Sequence, residues 1–352
     1  MTAPFRLYGA ELSPYSVKVR SYLRFKGLQF EWLERSNARQ EEFARCAKLP
    51  LAPLLVDADE AVLQDSTPMI EALDREFPEP SITPDSPALA FLSALLEDYA
   101  DEWLNKAMFH YRWAYPENQD SAAKRIADML FDGADIPDGV EDAVKTRMIG
   151  RLHHVGSSPD AAPAIEGSFS RVLALLDRPL ATHAYLFGGR PCLADFGLAG
   201  QLQQLLSDPT PGAMIRAQAP NVVRWLERMQ NPRVEGDFAS FDKLRGDLVE
   251  LLRDELAGAY LVWMAANAQA VRRDGQGVSV GIGGVMFTQK PQRYAAKAFA
   301  ELMRKRAATE DAGLTALLTE TGCEAFLNPP ANVAMAEESD EDEGDDGDEG
   351  EE

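Results

Sequence analysis

The sequence predicts an α/β domain followed by an all-helical domain, with an extra helix-hairpin-helix block after it. Up to residue 77, short apolar runs alternate with amphipathic stretches, and prolines then cluster at positions 78, 80, 84 and 87. Beyond that cluster, helical periodicity dominates and strand patterns are absent until residue 278. With 45% hydrophobic residues among 352, the chain can fill the cores of two or three domains.

Residues 4–77 have the predicted order β-α-β-α-β-β-α. The first strand, 5–8, leads into a helix that begins at Ser13-Pro14-Tyr15-Ser16 and ends at Gly27. A serine hydroxyl can accept from a free N–H at a helix start, proline fits the first turn, and glycine suits a left-handed end. The order is completed by a strand at 29–33, a helix at 40–46, a hairpin at 52–63 and a helix at 69–77 with Ser66 as its cap.

The remainder of the chain reads as helices and one hairpin. Helices are predicted at 90–113, 122–130, 140–152, 169–176, 192–206, 222–229, 244–270, 293–306 and 314–326. Two β-type runs, 278–282 and 285–287, are joined by Gly283-Gly284, which favours a hairpin. We therefore predict domains at 1–83, 84–243 and 244–330, and a disordered acidic tail at 331–352.

Charge and cysteine content exclude several classes of protein. Residues 337–352 hold twelve acidic and no basic residues, so this tail carries more than half of the formal net charge of −22. Neither the tail nor the remainder has a basic stripe for phosphates, which argues against nucleic-acid binding. The sequence has no apolar run of membrane-spanning length and no signal-peptide pattern, which favours a cytoplasmic protein. Three scattered cysteines without ligand spacing predict neither disulfides nor a metal site.

The N-terminal order resembles a thioredoxin-type fold, and its motifs resemble the glutathione transferase family over roughly residues 4 to 230. We interpret the block at 244–330 as an extension of a large family member, which could cover the cleft or form a subunit contact. In the second domain, Cys192 occupies the cap position of a helix but is a weak hydrogen-bond acceptor. We therefore expect the Asp195 side chain to reach back to the start of that helix. The motifs that carry the resemblance are Leu7-Tyr8, Ser13-Pro14-Tyr15-Ser16, Val19-Arg20, Lys26-Gly27, Ala52-Pro53-Leu54-Leu55, Gln64-Asp65-Ser66-Thr67-Pro68, Leu186-Phe187-Gly188 and Ala194-Asp195-Phe196.

The resemblance implies a glutathione site on the first domain. Ala52, before a cis Pro53, would pair its backbone with the cysteinyl unit of glutathione as an added strand. Asp65 and Ser66, with Gln64 beside them, would hold the γ-glutamyl group at a helix N-terminus. Simple helix capping is the alternative role of Asp65 and Ser66.

The resemblance also implies that Ser13 stands where the family keeps its thiol-activating group. Its hydroxyl would donate to the glutathione sulfur and lower the pKa of the thiol. Tyr8 and Ser16 are the alternatives, although Tyr8 suits core packing and Ser16 suits a solvent-facing position. Serines replace the cysteines that redox relatives carry at positions 13 and 16, so a mixed disulfide with the protein is excluded there.

The second substrate is expected between the domains, against the long helix at 90–113. The residues predicted to contact it are Tyr15, Trp103, His110, Tyr111 and Trp113, although Trp103 and Trp113 could instead pack in the core. Asp98 or Asp101 could reach the glutathione of a neighbouring subunit, and a solvated acidic face is the alternative.

These expectations describe a cytoplasmic, homodimeric enzyme that conjugates glutathione, its cosubstrate, to a hydrophobic electrophile without a metal. A glutathione-dependent lyase or isomerase would use the same site. A non-catalytic scaffold is the third hypothesis, in which the acidic tail and the extension would bind a basic protein partner.

Overall fold

The computed structural model describes residues 4–328. Its first unit is a four-stranded sheet in the order β2-β1-β3-β4, in which β1 and β2 are parallel and the other neighbours antiparallel. The strands are β1 (Phe5–Gly9), β2 (Phe30–Glu34), β3 (Leu54–Val56) and β4 (Val62–Gln64), with helices α1 (Pro14–Lys26), α2 (Gln40–Cys46) and α3 (Ser66–Glu76). This mixed sheet is the predicted thioredoxin-like arrangement.

The ends of α1 have the predicted caps. The Ser13 hydroxyl accepts from the Ser16 N–H at 3.2 Å, and Gly27 adopts the left-handed conformation at φ 66°. The start of α3 differs from the prediction, because Asp65 is its N-cap and Ser66 already lies within the helix. At φ 77°, Asp65 turns the chain sharply after β4, so the helix begins earlier than residue 69.

The long helix predicted at 90–113 runs without a break over 87–114. It consists of α4 (Pro87–Tyr99), a π-helical segment (Ala100–Leu104) and α5 (Asn105–Ala114). Wider π-turns are rare and occur frequently at functional sites. The π segment here lies between the α/β domain and the C-terminal extension, as its contacts below show.

Six more α-helices are described in the second unit. They are α6 (Pro116–Phe131), α7 (Val140–Gly150), α8 (Ala162–Asp177), α9 (Leu193–Ser207), α10 (Pro209–Gln218) and α11 (Pro220–Met229). Helix α10 is not predicted from the sequence, because Pro209 and Pro211 look like a break, although proline is compatible with a first helical turn. As expected, Asp195 reaches back and accepts from the Cys192 N–H at 2.9 Å.

The C-terminal extension shares its core with the helices before it. It comprises α12 (Phe241–Glu250), a second π-helical segment (Leu251–Tyr260), α13 (Leu261–Arg272), a hairpin of β5 (Val278–Ile282) and β6 (Val285–Gln289), α14 (Arg293–Ala308), α15 (Ala312–Thr321) and α16 (Glu324–Leu327). Trp263 and Phe287 of the extension contact the ring of Trp103. The predicted acidic tail at 331–352 lies outside the described residues, and no helix within 4–328 is long and apolar enough to cross a membrane.

Candidate functional site

A cavity of about 410 Å³ lies where the α/β domain, the π segment of the long helix and the C-terminal extension meet. It gathers side chains from segments that are more than 200 positions apart in the sequence. The lining residues are Tyr15, Leu49, Leu51, Ala52, Pro53, Gln64, Asp65, Ser66, Asp101, Glu102, Asn105, Lys106, His154, Val155, Trp263, Gln289, Gln292, Tyr294 and Ala295.

The peptide bond between Ala52 and Pro53 is cis, which confirms that prediction. Within residues 4–328, the backbone N–H and C=O of Ala52 have no hydrogen-bond partner. Ala52 lines the cavity just before β3 begins at Leu54. The cavity wall therefore offers one free donor and one free acceptor, in the arrangement to which an extended peptide can add as a strand.

The start of α3 forms the adjoining wall. Among the described residues, the N–H groups of Ser66 and Thr67 are not used in any hydrogen bond, as expected in a first helical turn. The Asp65 carboxylate accepts from the Tyr294 hydroxyl at 2.7 Å. The Ser66 hydroxyl accepts from the Lys18 ammonium at 3.3 Å, and its own proton stays available. An anion can bind at this helix end.

Gln64 does not have a free side chain for a ligand, contrary to the predicted role. Its Oε1 accepts from the N–H groups of Lys48 and Leu49 at 3.1 Å, and its Nε2 donates to the carbonyls of Leu49 and Leu51 at 2.7 Å. Both polar atoms of the amide are thereby saturated. Gln64 instead fixes the loop that carries Leu49 and Leu51 to the cavity.

Ser13 lies at the N-cap of α1 and is not among the residues that line the cavity. From this region of the chain, Tyr15 forms part of the cavity wall. Its hydroxyl donates to the Asp101 carbonyl and accepts from Asn105, both at 3.2 Å. The loop before Ser13 is held by the buried Arg112, which donates to the Leu12 carbonyl at 3.0 Å. The cap hydroxyl of Ser13 retains a proton that it can donate.

The two alternatives to Ser13 are fully buried side chains. The buried Tyr8 hydroxyl donates to Glu42 at 2.5 Å, and burial together with that carboxylate raises the pKa of Tyr8 to about 12. Ser16 is fully buried and does not face solvent, contrary to the prediction. Its hydroxyl finds no partner among the described residues. Neither residue lines the cavity.

Four of the five residues predicted to contact the second substrate are in the core instead. Trp103, His110, Tyr111 and Trp113 are buried and do not line the cavity, so only Tyr15 remains from that set. Trp103 and Tyr111 contact helix α8, His110 contacts the loop before it, and Trp113 packs on Phe109. For example, the Trp103 indole donates to Ser168 at 2.8 Å, and the His110 ring contacts Ser157 at 2.8 Å. The alternative of core packing is therefore correct for both tryptophans.

The acidic residues of the long helix are not a solvated face. Glu97 and Asp101 are buried around the Lys18 ammonium, which contacts Asp101 at 2.6 Å and forms a short ion pair with Glu97. Asp98 accepts a hydrogen bond from Tyr260 of the extension. The extension thus covers the position from which Asp98 was expected to reach a neighbouring subunit.

Burial controls the protonation of this cluster. Burial and the neighbouring Glu97 raise the pKa of Asp101 to about 7, although Lys18 opposes the shift. Burial and the nearby carboxylates likewise raise the pKa of Asp98 to about 7, against the hydrogen bond from Tyr260. Burial alone would lower the pKa of Lys18, but Asp101 and Glu97 outweigh it and hold the pKa above its ordinary value.

The sequence did not predict the residues that the extension and the end of the π segment contribute to the cavity. Trp263, Gln289 and Tyr294 come from the extension, and Asn105 and Lys106 follow the π segment. A signal in the sequence was Lys106, a charge between the apolar pairs Trp103-Leu104 and Ala107-Met108. For metals, the described residues contain no group of three or more His, Cys, Asp or Glu side chains suited to hold an ion.

Comparisons with known proteins agree with the predicted family. Residues 7–81 match the model of the glutathione S-transferase N-terminal domain, and residues 159–228 match that of the C-terminal domain. An isoprene-epoxide–glutathione S-transferase of Rhodococcus sp. is 24% identical over 62% of this chain and 92% of its own length. Glutathione S-transferase 3 of Zea mays is 28% identical over 64% of this chain and 88% of its own. Among solved structures, a β-etherase of Sphingobium sp. aligns with a TM-score of 0.47 at 21% identity, over 64% of this chain and 95% of that one.

Proposed function

Because the chain belongs to the glutathione S-transferase family in residues 7–81 and 159–228, we propose that it binds glutathione in the cavity and conjugates the thiolate to a hydrophobic electrophile. One observation carries this proposal. Ala52 and Ser66, whose backbone groups have no hydrogen-bond partner among the described residues, line a single cavity at the start of α3. They match the two ends of a γ-glutamyl-cysteinyl peptide, which needs a backbone donor and acceptor at one end and an anion site at the other.

The proposed pose follows from these groups. Ala52 pairs with the cysteinyl backbone, and the N–H groups of Ser66 and Thr67 hold the γ-glutamyl carboxylate at the positive end of α3. Asp65, oriented by Tyr294, meets the ammonium group of the same γ-glutamyl unit. In this proposed pose the cysteinyl thiol would face the N-terminus of α1, whose second residue, Tyr15, lines the cavity.

We propose that Ser13 stabilises the thiolate from that helix end. Its hydroxyl already accepts from the Ser16 N–H, which leaves the hydroxyl proton free to donate to sulfur. A hydrogen bond to the charged form of an acid lowers its pKa. The apolar part of the cavity, which includes Pro53, Val155 and Trp263, would hold the electrophile. The homodimer and the cytoplasmic location stay predictions from the sequence.

Ser13→Ala is expected to raise the thiol pKa of bound glutathione and to lower kcat/KM for conjugation by about 100-fold. The thiolate is measured by its ultraviolet absorbance as a function of pH, and conjugation with a chlorodinitrobenzene as the electrophile. Ser16→Ala is the matched control, because it removes a buried hydroxyl that has no partner among the described residues. An equal thiol pKa in Ser13→Ala and the wild type would remove Ser13 from the mechanism.

A further inference from the structure

Lys106 is a buried lysine in the wall of the cavity. Its side chain is 3% exposed, and its ammonium nitrogen lies 3.8 Å from the centre of the Trp263 ring. The same nitrogen donates to Gln289 Oε1 at 3.0 Å. Lys106 has no ion pair with any residue in 4–328. A cation with only neutral direct contacts is costly to bury, so its position facing a cavity calls for a functional explanation.

A comparison with Lys18 defines what is unusual about Lys106. Both ammonium groups are buried, but Lys18 contacts two carboxylates, which keep its pKa high. Burial lowers the pKa of Lys106 to about 7, and Glu102, one turn earlier on the same helix, offsets this only in part. Lys18 is therefore a permanent charge within the structure. Lys106 can lose and regain a proton near neutral pH.

We propose that Lys106 is the proton donor to electrophiles whose attacked carbon passes its electron pair to an oxygen atom, namely epoxides and α,β-unsaturated carbonyl compounds. This inference rests on the proposed conjugation of glutathione in the same cavity. With an epoxide, the sulfur–carbon bond forms, a carbon–oxygen bond breaks, and the oxygen takes a proton from the Lys106 ammonium. With an enone, the π electrons move to the carbonyl oxygen, which takes that proton. The resulting neutral amine then takes a proton from water.

The cavity also holds the titratable side chains of Tyr15, Asp65, Asp101, Glu102, His154 and Tyr294. The two tyrosines and the two aspartates are less suited to this step than Lys106. Burial and nearby carboxylates raise the pKa of both tyrosines far above neutrality, which makes them weak acids. Asp65 accepts from Tyr294, and Asp101 is paired with Lys18. Burial and the neighbouring Asp98 and Asp101 raise the pKa of Glu102 well above its ordinary value, and its ionised form favours the protonated amine of Lys106.

The test compares electrophiles that need a proton with one that does not. Styrene oxide and cyclohexenone leave a charge on oxygen, whereas a chlorodinitrobenzene releases chloride. In Lys106→Met we expect kcat/KM for the oxygen electrophiles to fall about 100-fold further than kcat/KM for the aryl halide. Lys106→Arg retains a cation over Trp263 but cannot release a proton near neutral pH, so it shows the same selective loss. Should Lys106→Met fail to fold, Lys106→Arg alone gives this comparison.

The pH profile supplies a readout that a structural role would not change. In the wild type, kcat/KM for styrene oxide is expected to decline above pH about 7, where Lys106 loses its proton, and this decline is absent with the aryl halide. Two outcomes would overturn the inference. One is an equal loss of kcat/KM on all three substrates in both variants, and the other is a wild type that conjugates the aryl halide but neither oxygen electrophile. If the wild type conjugates none of the three, the proposed function itself fails, and this inference fails with it.

Discussion

Lys18→Met is expected to lower the free energy of unfolding by about 3–5 kcal/mol, because it leaves two buried carboxylates without their cation. The ammonium contacts Asp101 at 2.6 Å and Thr67 at 2.9 Å, and it forms a short ion pair with Glu97. These partners lie on α3 and on the long helix, so the lysine joins the α/β domain to the helical domain. Chemical denaturation followed by circular dichroism measures the loss.

The Lys18→Met effect should depend on pH with a definite sign. Burial already raises the pKa of Asp101 to about 7, and without Lys18 this pKa rises further. A carboxyl with a higher pKa in the folded than in the unfolded state binds more protons when folded, so stability falls as pH rises. The variant should therefore lose more stability at pH 8 than at pH 5, relative to the wild type. Equal losses at both values would contradict the role assigned to Asp101.

A matched control comes from an exposed ion pair in the same domain. Arg6 pairs with Glu60 at 2.6 Å, with 29% and 71% of the side chains exposed. Arg6→Met should cost less than about 1 kcal/mol, since exposed pairs contribute little. Combining Lys18→Met with Glu97→Gln and Asp101→Asn should restore part of the lost stability, because the unpaired charges are then removed. No recovery in the triple variant would show that packing, not charge, explains the loss.

Asp195→Ala is expected to cost about 3–5 kcal/mol, since several buried donors lose their acceptor at once. The carboxylate accepts from the N–H of Leu186 at 3.0 Å, the N–H of Cys192 at 2.9 Å and the indole of Trp225 at 2.9 Å. It joins the start of α9 to the preceding turn and to α11. Thermal and denaturant unfolding of the purified variant measure the effect.

The control for Asp195 is a half-buried helix cap. Asp311 accepts from the Leu314 N–H at 2.8 Å at the start of α15, and Asp311→Ala should cost about 1 kcal/mol. The difference between the two variants in the free energy of unfolding measures what burial and the additional donors contribute. A loss for Asp195→Ala no larger than that for Asp311→Ala would mean that water or a rearranged side chain replaces the carboxylate.

The sequence was sufficient where local chemistry decides the structure. The order of strands and helices before residue 77, the Ser13 cap and the return of Asp195 to Cys192 depend on residues close together in the chain. The cis peptide at Ala52 and the approach of Ala52 to Ser66 are longer-range features. They could be predicted only because the motifs resemble those of a family.

The sequence was insufficient where distant segments decide what covers a helix face. Periodicity separates the acidic side of the long helix from its apolar side, but it cannot show that Lys18 and Tyr260 cover the acidic side. The same limit explains why Trp103 was predicted to contact the second substrate. Its ring instead packs on Trp263 of the extension. Neither partner is adjacent in the chain, and the extension has no counterpart in the motifs that were recognised.

The most direct test of the account is a calorimetric titration of the whole chain with glutathione at neutral pH. We predict saturable binding to one site per chain. Asp65→Asn should bind at least about tenfold more weakly, because it can still accept from Tyr294 but no longer attracts the ammonium group. Asp59→Asn, in the exposed turn between β3 and β4, should bind like the wild type. No saturable heat at millimolar glutathione, or equal affinity of all three proteins, would contradict a glutathione site in this cavity.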